Sequence, residues 1–158
     1  MIYAATINTL VGKTQSSPER SILKVTSGLV YRVEFSFPPG SAGLLGVAVF
    51  DGSYQVWPST VGQWFCGDGI VIGFEDVYLK QSAPYEFTIV TYNDDTEYSH
   101  SLSVRTGMVS KDIFMARFLP HLSYKYFETM LDNLRKSQTE QADQQRREIL
   151  EDPFPWLC

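Results

Sequence analysis

The chain has 158 residues, 44% of them apolar and 14% aromatic, with a net charge of −5. That length suits one domain plus an appendage, and the apolar share is enough for a real core. Residues 1–109 carry six Lys/Arg against ten Asp/Glu, and residues 110–158 carry seven against eight. Neither part offers a basic footprint for a phosphate backbone or an anionic membrane surface. With two cysteines, Cys66 and Cys158, a disulfide framework is not expected, and the reading is two free thiols in a reducing setting. No basic segment precedes an apolar run, and no stretch approaches the roughly 18 apolar residues of a membrane span.

In chain order, Ile2 to Val11 and Ser21 to Thr26 read as strands of weaker pattern, separated by a polar loop from Gly12 to Arg20. Leu29 to Phe37 is the clearest strand. Leu29, Tyr31, Val33, Phe35 and Phe37 alternate with Val30, Arg32, Glu34 and Ser36, which predicts one buried and one wetter face. Pro38-Pro39-Gly40 ends it. Leu44 to Phe50 is almost continuously apolar and reads as a strand buried on both faces. Asp51-Gly52-Ser53 then predicts a hairpin into Tyr54–Trp57. Ile70 to Phe74 is a further short strand. Tyr85 to Tyr92 and Tyr98 to Thr106 alternate well, joined by a polar loop of hairpin length, Asn93 to Glu97. Seven or eight short strands with frequent turn signals predict an antiparallel β-sandwich with jelly-roll-like connections over residues 1–109.

After Gly107 the period changes. Ser110 is a helix cap, with Asp112 in the first turn near the positive dipole end. Ile113, Phe114, Arg117 and Phe118 follow until Pro120. A longer helix is predicted from Ser123 to Leu150, about 40 Å at 1.5 Å per residue. Phe127, Met130, Leu131 and Leu134 share a face, whereas Lys136 to Glu148 is nearly all polar. Residues 110–158 thus read as a helical arm. Its tip, Pro153-Phe154-Pro155-Trp156-Leu157-Cys158, is apolar and kept extended by proline.

The chemistry-bearing residues form no catalytic set by spacing. Ser21-Ile22-Leu23-Lys24 matches Ser-x-x-Lys, but that motif needs a helix start, and in a strand residues three apart face opposite ways. Gly67-Asp68-Gly69 reads as a turn, His100 as a sheet histidine on the face of Leu102 and Val104, and His121 as a helix-entry residue. Glu75-Asp76 and Asp94-Asp95-Glu97 read as solvated acidic turns, because no loop has a calcium-binding register. No catalytic residue, metal ligand or cofactor is assigned. Two surfaces remain. Tyr54, Trp57, Trp64, Phe65 and Tyr78 fall in the least regular part of the β domain and define a possible carbohydrate- or ligand-binding face; Trp57 and Trp64 as core or loop anchors is the competing reading. Phe154, Trp156 and Leu157 define a partner-binding tip, since aromatic anchors on an extended segment are what interface hot spots look like.

A small all-β body with Phe37-Pro38-Pro39-Gly40 after its main strand, then a helical arm ending Pro153-Phe154-Pro155-Trp156, resembles the small virion structural proteins of tailed bacteriophages. The resemblance covers the layout and carries no residue roles. It implies a non-enzymatic assembly protein that is made in the cytoplasm, packs with itself or neighbouring structural proteins, and enters a virion shell, neck or tail. The alternative expectation is the ligand-binding β module.

Overall fold

The computed structural model describes residues 1–110, 112–114 and 124–151. The chain divides into two units, Met1–Val109 and Ser110–Cys158.

Ten strands build the first unit: β1 Ile2–Thr9, β2 Glu19–Lys24, β3 Gly28–Ser36, β4 Leu45–Asp51, β5 Tyr54–Trp57, β6 Phe65–Cys66, β7 Val71–Phe74, β8 Tyr78–Lys80, β9 Glu86–Asn93 and β10 His100–Val109. They form two five-stranded sheets. One runs β1-β10-β3-β7, with β8 also on β3; the other runs β2-β9-β4-β5, with β6 also on β4. Every pairing is antiparallel. First pairs with last, second with next to last, and third with β7 and β8, leaving β4 and β5 as the innermost hairpin. This is a long hairpin rolled over itself, the jelly-roll arrangement of a β-sandwich.

The two sheets close on one core. Ile7, Val33, Phe35, Leu102, Val104 and Met108 enter from the first sheet, and Leu23, Leu45, Val47, Val49, Trp57, Phe87 and Ile89 from the second. Each fully buried Phe or Leu contributes about 1.5–3 kcal/mol by the apolar area it removes from water. β4 is covered on both sides, as its unbroken apolar run predicts. Val47 faces the core, and Gly46 and Ala48 face outward. Over Gly46 lies the ring of Tyr92, so close that a Cβ there would sit 2.1 Å from Tyr92 Cε1. The Asp51-Gly52-Ser53 turn forms, with Gly52 at φ 60°.

Three expectations change. The alternation of β3 breaks at Tyr31. A register shift opposite Gly107 and Met108 pairs Gly107 with Arg32 but Met108 with Val30. The extra residue reverses the parity, so Val30 joins the core and Tyr31 covers Gly107 from outside. Asn93 to Glu97 is not a hairpin, because β9 and β10 lie in different sheets and the loop crosses the end of the sandwich. β6 and β8, of two and three residues, are too short to leave a periodic signal.

In the second unit, residues 112–114 are helical, and the Ser110 hydroxyl accepts the Ile113 N–H at 3.4 Å, as a cap does. Helix α1 spans Tyr124–Glu151. Phe127 and Leu131 are buried, and the Phe114 and Phe127 rings stack with centroids 5.7 Å apart. Phe154, Trp156 and Leu157 lie outside the described residues, as do Arg117, Phe118, Pro120, His121 and Cys158.

Candidate functional site

The five aromatics of the possible ligand face do not share a surface. Trp57 is 3% exposed and packs its indole against Phe74, Tyr78 and Phe87, with ring centroids 6.5, 5.6 and 5.4 Å away. Its Nε1–H donates to Asp76 Oδ2 at 2.7 Å. Phe65 pairs with Val47 and lies 5.3 Å from Phe35 inside the sandwich. Tyr54 and Tyr78 are half-buried against the same core. Trp64 sits apart on the outer face of the second sheet, edge-on to Tyr92 at 5.0 Å. Trp57 therefore offers no free ring for stacking a sugar, and Trp64 shares no platform with it. Trp57 is a core residue, and Trp64 rests half-buried on the Tyr92 ring.

Tyr54, Trp57 and Tyr78 instead frame a polar cluster at one end of the sandwich. Asp51, the last residue of β4, points inward with Tyr54. The Tyr78 hydroxyl donates to Asp51 Oδ2 at 2.9 Å, and the Lys80 ammonium donates to Oδ1 at 2.5 Å. Lys80 is 2% exposed, with its Nζ 5.7 Å from the Phe87 ring centroid. Burial, reinforced by the Asp51 charge, pushes the Tyr78 phenol well above its ordinary value, so it stays a donor. Burial, then the charge of Asp76, raises Tyr54 as well. In sequence, Asp51 reads as a turn residue and nothing singles out Lys80, so only the fold brings them together.

A second polar cluster organises the loop after β9. The Asn93 side-chain amide donates to the carbonyls of Thr9 and Tyr98, and its Oδ1 accepts from the Asp95 N–H. Asp95 Oδ1 accepts from the Glu97 and Tyr98 N–H groups, while Oδ2 meets His100 Nε2 at 2.8 Å. The Glu97 N–H first, and His100 next, hold the Asp95 carboxyl below its ordinary range. Thr9 and Thr91 share a buried hydroxyl pair at 2.7 Å. His100 is thus a buried partner of a loop carboxylate on the face of Leu102 and Val104.

Other polar groups also serve the loops. Gln55 bonds the carbonyls of Pro58, Thr60 and Gln63 and the N–H of Gly62. Asp68 Oδ1 accepts from the Gly40 and Ser41 N–H groups, tying down the loop after Pro38-Pro39. Cys66 is a free, exposed thiol 3.2 Å from the Tyr92 hydroxyl. Ser21 pairs with Ile89 and Lys24 with Glu86 on β9, which places the Ser-x-x-Lys residues on opposite faces of β2. Among the described residues, no three His, Cys, Asp or Glu side chains converge to hold a metal ion, and no helix is long and apolar enough to cross a membrane.

Helix α1 is the remaining surface element. Its covered stripe starts apolar, with Phe127, Met130, Leu131 and Leu134, and continues at helical spacing through Gln138, Ala142 and Gln145. Gln145 is buried, so the second half, nearly all polar in sequence, has a narrow covered face made of polar and small residues. The other positions from Lys125 to Glu151 are exposed and laced by Asp132–Arg135 at 3.1 Å, Asp143–Arg146 at 3.8 Å and Gln144–Glu148 at 3.0 Å. Such pairs support a helix by about 0.2–0.5 kcal/mol each.

Compared with known proteins, the chain matches no protein-family model and no curated protein.

Proposed function

We propose that the chain is a non-enzymatic assembly protein, which oligomerises through its jelly-roll unit and grips a neighbour with its C-terminal arm. The observation that carries this reading is α1. At 28 residues it is about 42 Å long, yet its apolar stripe stops at Leu134. Over the four turns that follow, the covered stripe is Gln138, Ala142 and Gln145, which removes little apolar area from water, so apolar burial on its own chain does not account for the helix's length. The sequence then regains apolar groups at Phe154, Trp156 and Leu157. Prolines 153 and 155 lower the entropy that such a segment loses on docking.

The setting proposed is a tailed-phage virion, as a shell, neck or tail component, in keeping with a β-sandwich unit followed in the chain by a helical one. Its partners are copies of itself and neighbouring structural proteins. Light scattering after size exclusion tests the reading. The intact chain gives a discrete multiple of 17.9 kDa, and the chain lacking Pro153 to Cys158 gives smaller species with its β melting transition nearly unchanged. A single-chain mass for the intact protein at every concentration removes the assembly reading. Unaltered assembly of the truncated chain removes the arm from it.

A further inference from the structure

Lys80 presents an arrangement that an ordinary ion pair does not explain. An ammonium carries three donors. Among the described residues the Lys80 ammonium meets a single acceptor, Asp51 Oδ1. Its other neighbour is the Phe87 ring at 5.7 Å, close to the outer limit of about 6 Å for cation–π attraction. At 2% exposure the side chain is buried as lysine is only when it is paired, and here one carboxylate oxygen is the whole of that pairing. A buried charge with donors left over is costly. An amide nitrogen has one proton and no charge, and it suits the same surroundings.

We infer that Lys80 and Asp51 form an intramolecular isopeptide bond, because the fold presses a buried lysine nitrogen onto a carboxyl group whose other oxygen is held by the Tyr78 hydroxyl. One proton passes from the ammonium to the carboxylate, giving an amine and a carboxylic acid without change in net charge. The Nζ lone pair adds to Asp51 Cγ and the C–N bond forms. Tyr78, donating to Oδ2 at 2.9 Å, steadies the negative charge that develops on that oxygen, which becomes the amide oxygen. Oδ1 leaves as water with the acid proton and one proton shed by nitrogen. The products are one amide and one water, and no oxidant or cofactor is consumed.

Holding both groups in one geometry supplies the driving factor, since well-oriented intramolecular reactions reach effective concentrations of roughly 10⁵–10⁸ M. The bond would join β4 of one sheet to β8 of the other, across 29 residues of sequence. It would staple the sandwich at that end.

Intact-mass and peptide mass spectrometry on the purified, denatured full chain tests this. The expected mass is that of the sequence less one water. Trypsin should fail to cut after Lys80, and a branched peptide should join the segments that contain Asp51 and Lys80. Lys80→Met and Asp51→Ala should each restore the full mass. Asp51→Asn should still cross-link, now losing ammonia. A wild-type chain at full mass with a linear peptide after Lys80 overturns the inference. So does a loss of water that persists in Lys80→Met, which assigns it to a succinimide at Asp51-Gly52. If Lys80→Met does not fold, the wild-type mass and the branched peptide still decide.

Discussion

Strand β9 and helix α1 both carry a covered stripe, but the stripes differ in substance. In β9 the inward residues Phe87 and Ile89 lie in the shared core of two sheets, and even the outward Val90 and Tyr92 are buried. In α1 the stripe passes from Phe127, Leu131 and Leu134 to Gln138, Ala142 and Gln145. The first stripe is made of groups that leave water for their own domain's sake. The second, over its later half, has too little apolar area to drive folding by itself. The β unit is held by apolar burial on both faces of its sheets, whereas the later half of α1 has no comparable apolar burial.

The largest test of this contrast is in β9. Phe87 is fully buried, and Phe87→Ala should cost about 3–5 kcal/mol in denaturant unfolding of the β unit. Gln138→Ala in α1 should leave that transition within about 0.5 kcal/mol. A comparable loss at both positions would erase the distinction. Gly46→Ala comes next. Its Cβ would overlap the Tyr92 ring, so the ring must leave the outer face, at about 1–3 kcal/mol. The accompanying signature is loss of the Trp64–Tyr92 contact, read by tryptophan fluorescence. An unchanged stability would mean that the double coverage of β4 is unimportant.

Much of the β unit was legible because its signals are local. Val33, Phe35 and Phe37 alternate, Asp51-Gly52 turns, and Ser110 caps, each within a few residues. What was hidden is non-local. The pairing of β1 with β10 joins residues about a hundred apart, such as Ile2 and Gly107, and no periodicity encodes it. The parity reversal at Tyr31 depends on the bulge opposite Gly107, which belongs to another strand. The loop from Asn93 to Glu97 has hairpin length, yet it crosses between sheets, because β9 pairs with β2 and β4 while β10 pairs with β1 and β3. The Asp51–Lys80 contact was invisible for the same reason: Asp51 reads as a turn residue, and nothing near Lys80 in sequence points to it. Trp57 and Trp64 could not be told apart until β5 turned one inward and the loop before β6 left the other outside.

A smaller effect concerns the polar end of the β unit. The folded chain holds the Asp95 carboxyl below its ordinary range, so the unfolded state binds a proton more readily. The resulting stabilisation is present above the ordinary carboxyl value of about 3.9 and is lost as pH falls through the lower folded value. Asp95→Asn should therefore lower the melting temperature at pH 7, and the gap to wild type should narrow on acidification below about pH 4. A gap that stays constant to pH 2 would show that the Asp95 charge does not contribute. The smallest effect is expected at Gln144, an exposed partner of Glu148; Gln144→Ala should change helicity by circular dichroism only slightly, in line with about 0.2–0.5 kcal/mol.

Amide hydrogen exchange along α1 tests the division between body and arm most directly. At dilutions where light scattering gives single chains, the amides of Lys136 to Glu151 should exchange orders of magnitude faster than those of β9, and become protected when the chains assemble. Protection of that segment equal to β9 in single chains, unchanged on assembly, would contradict the account.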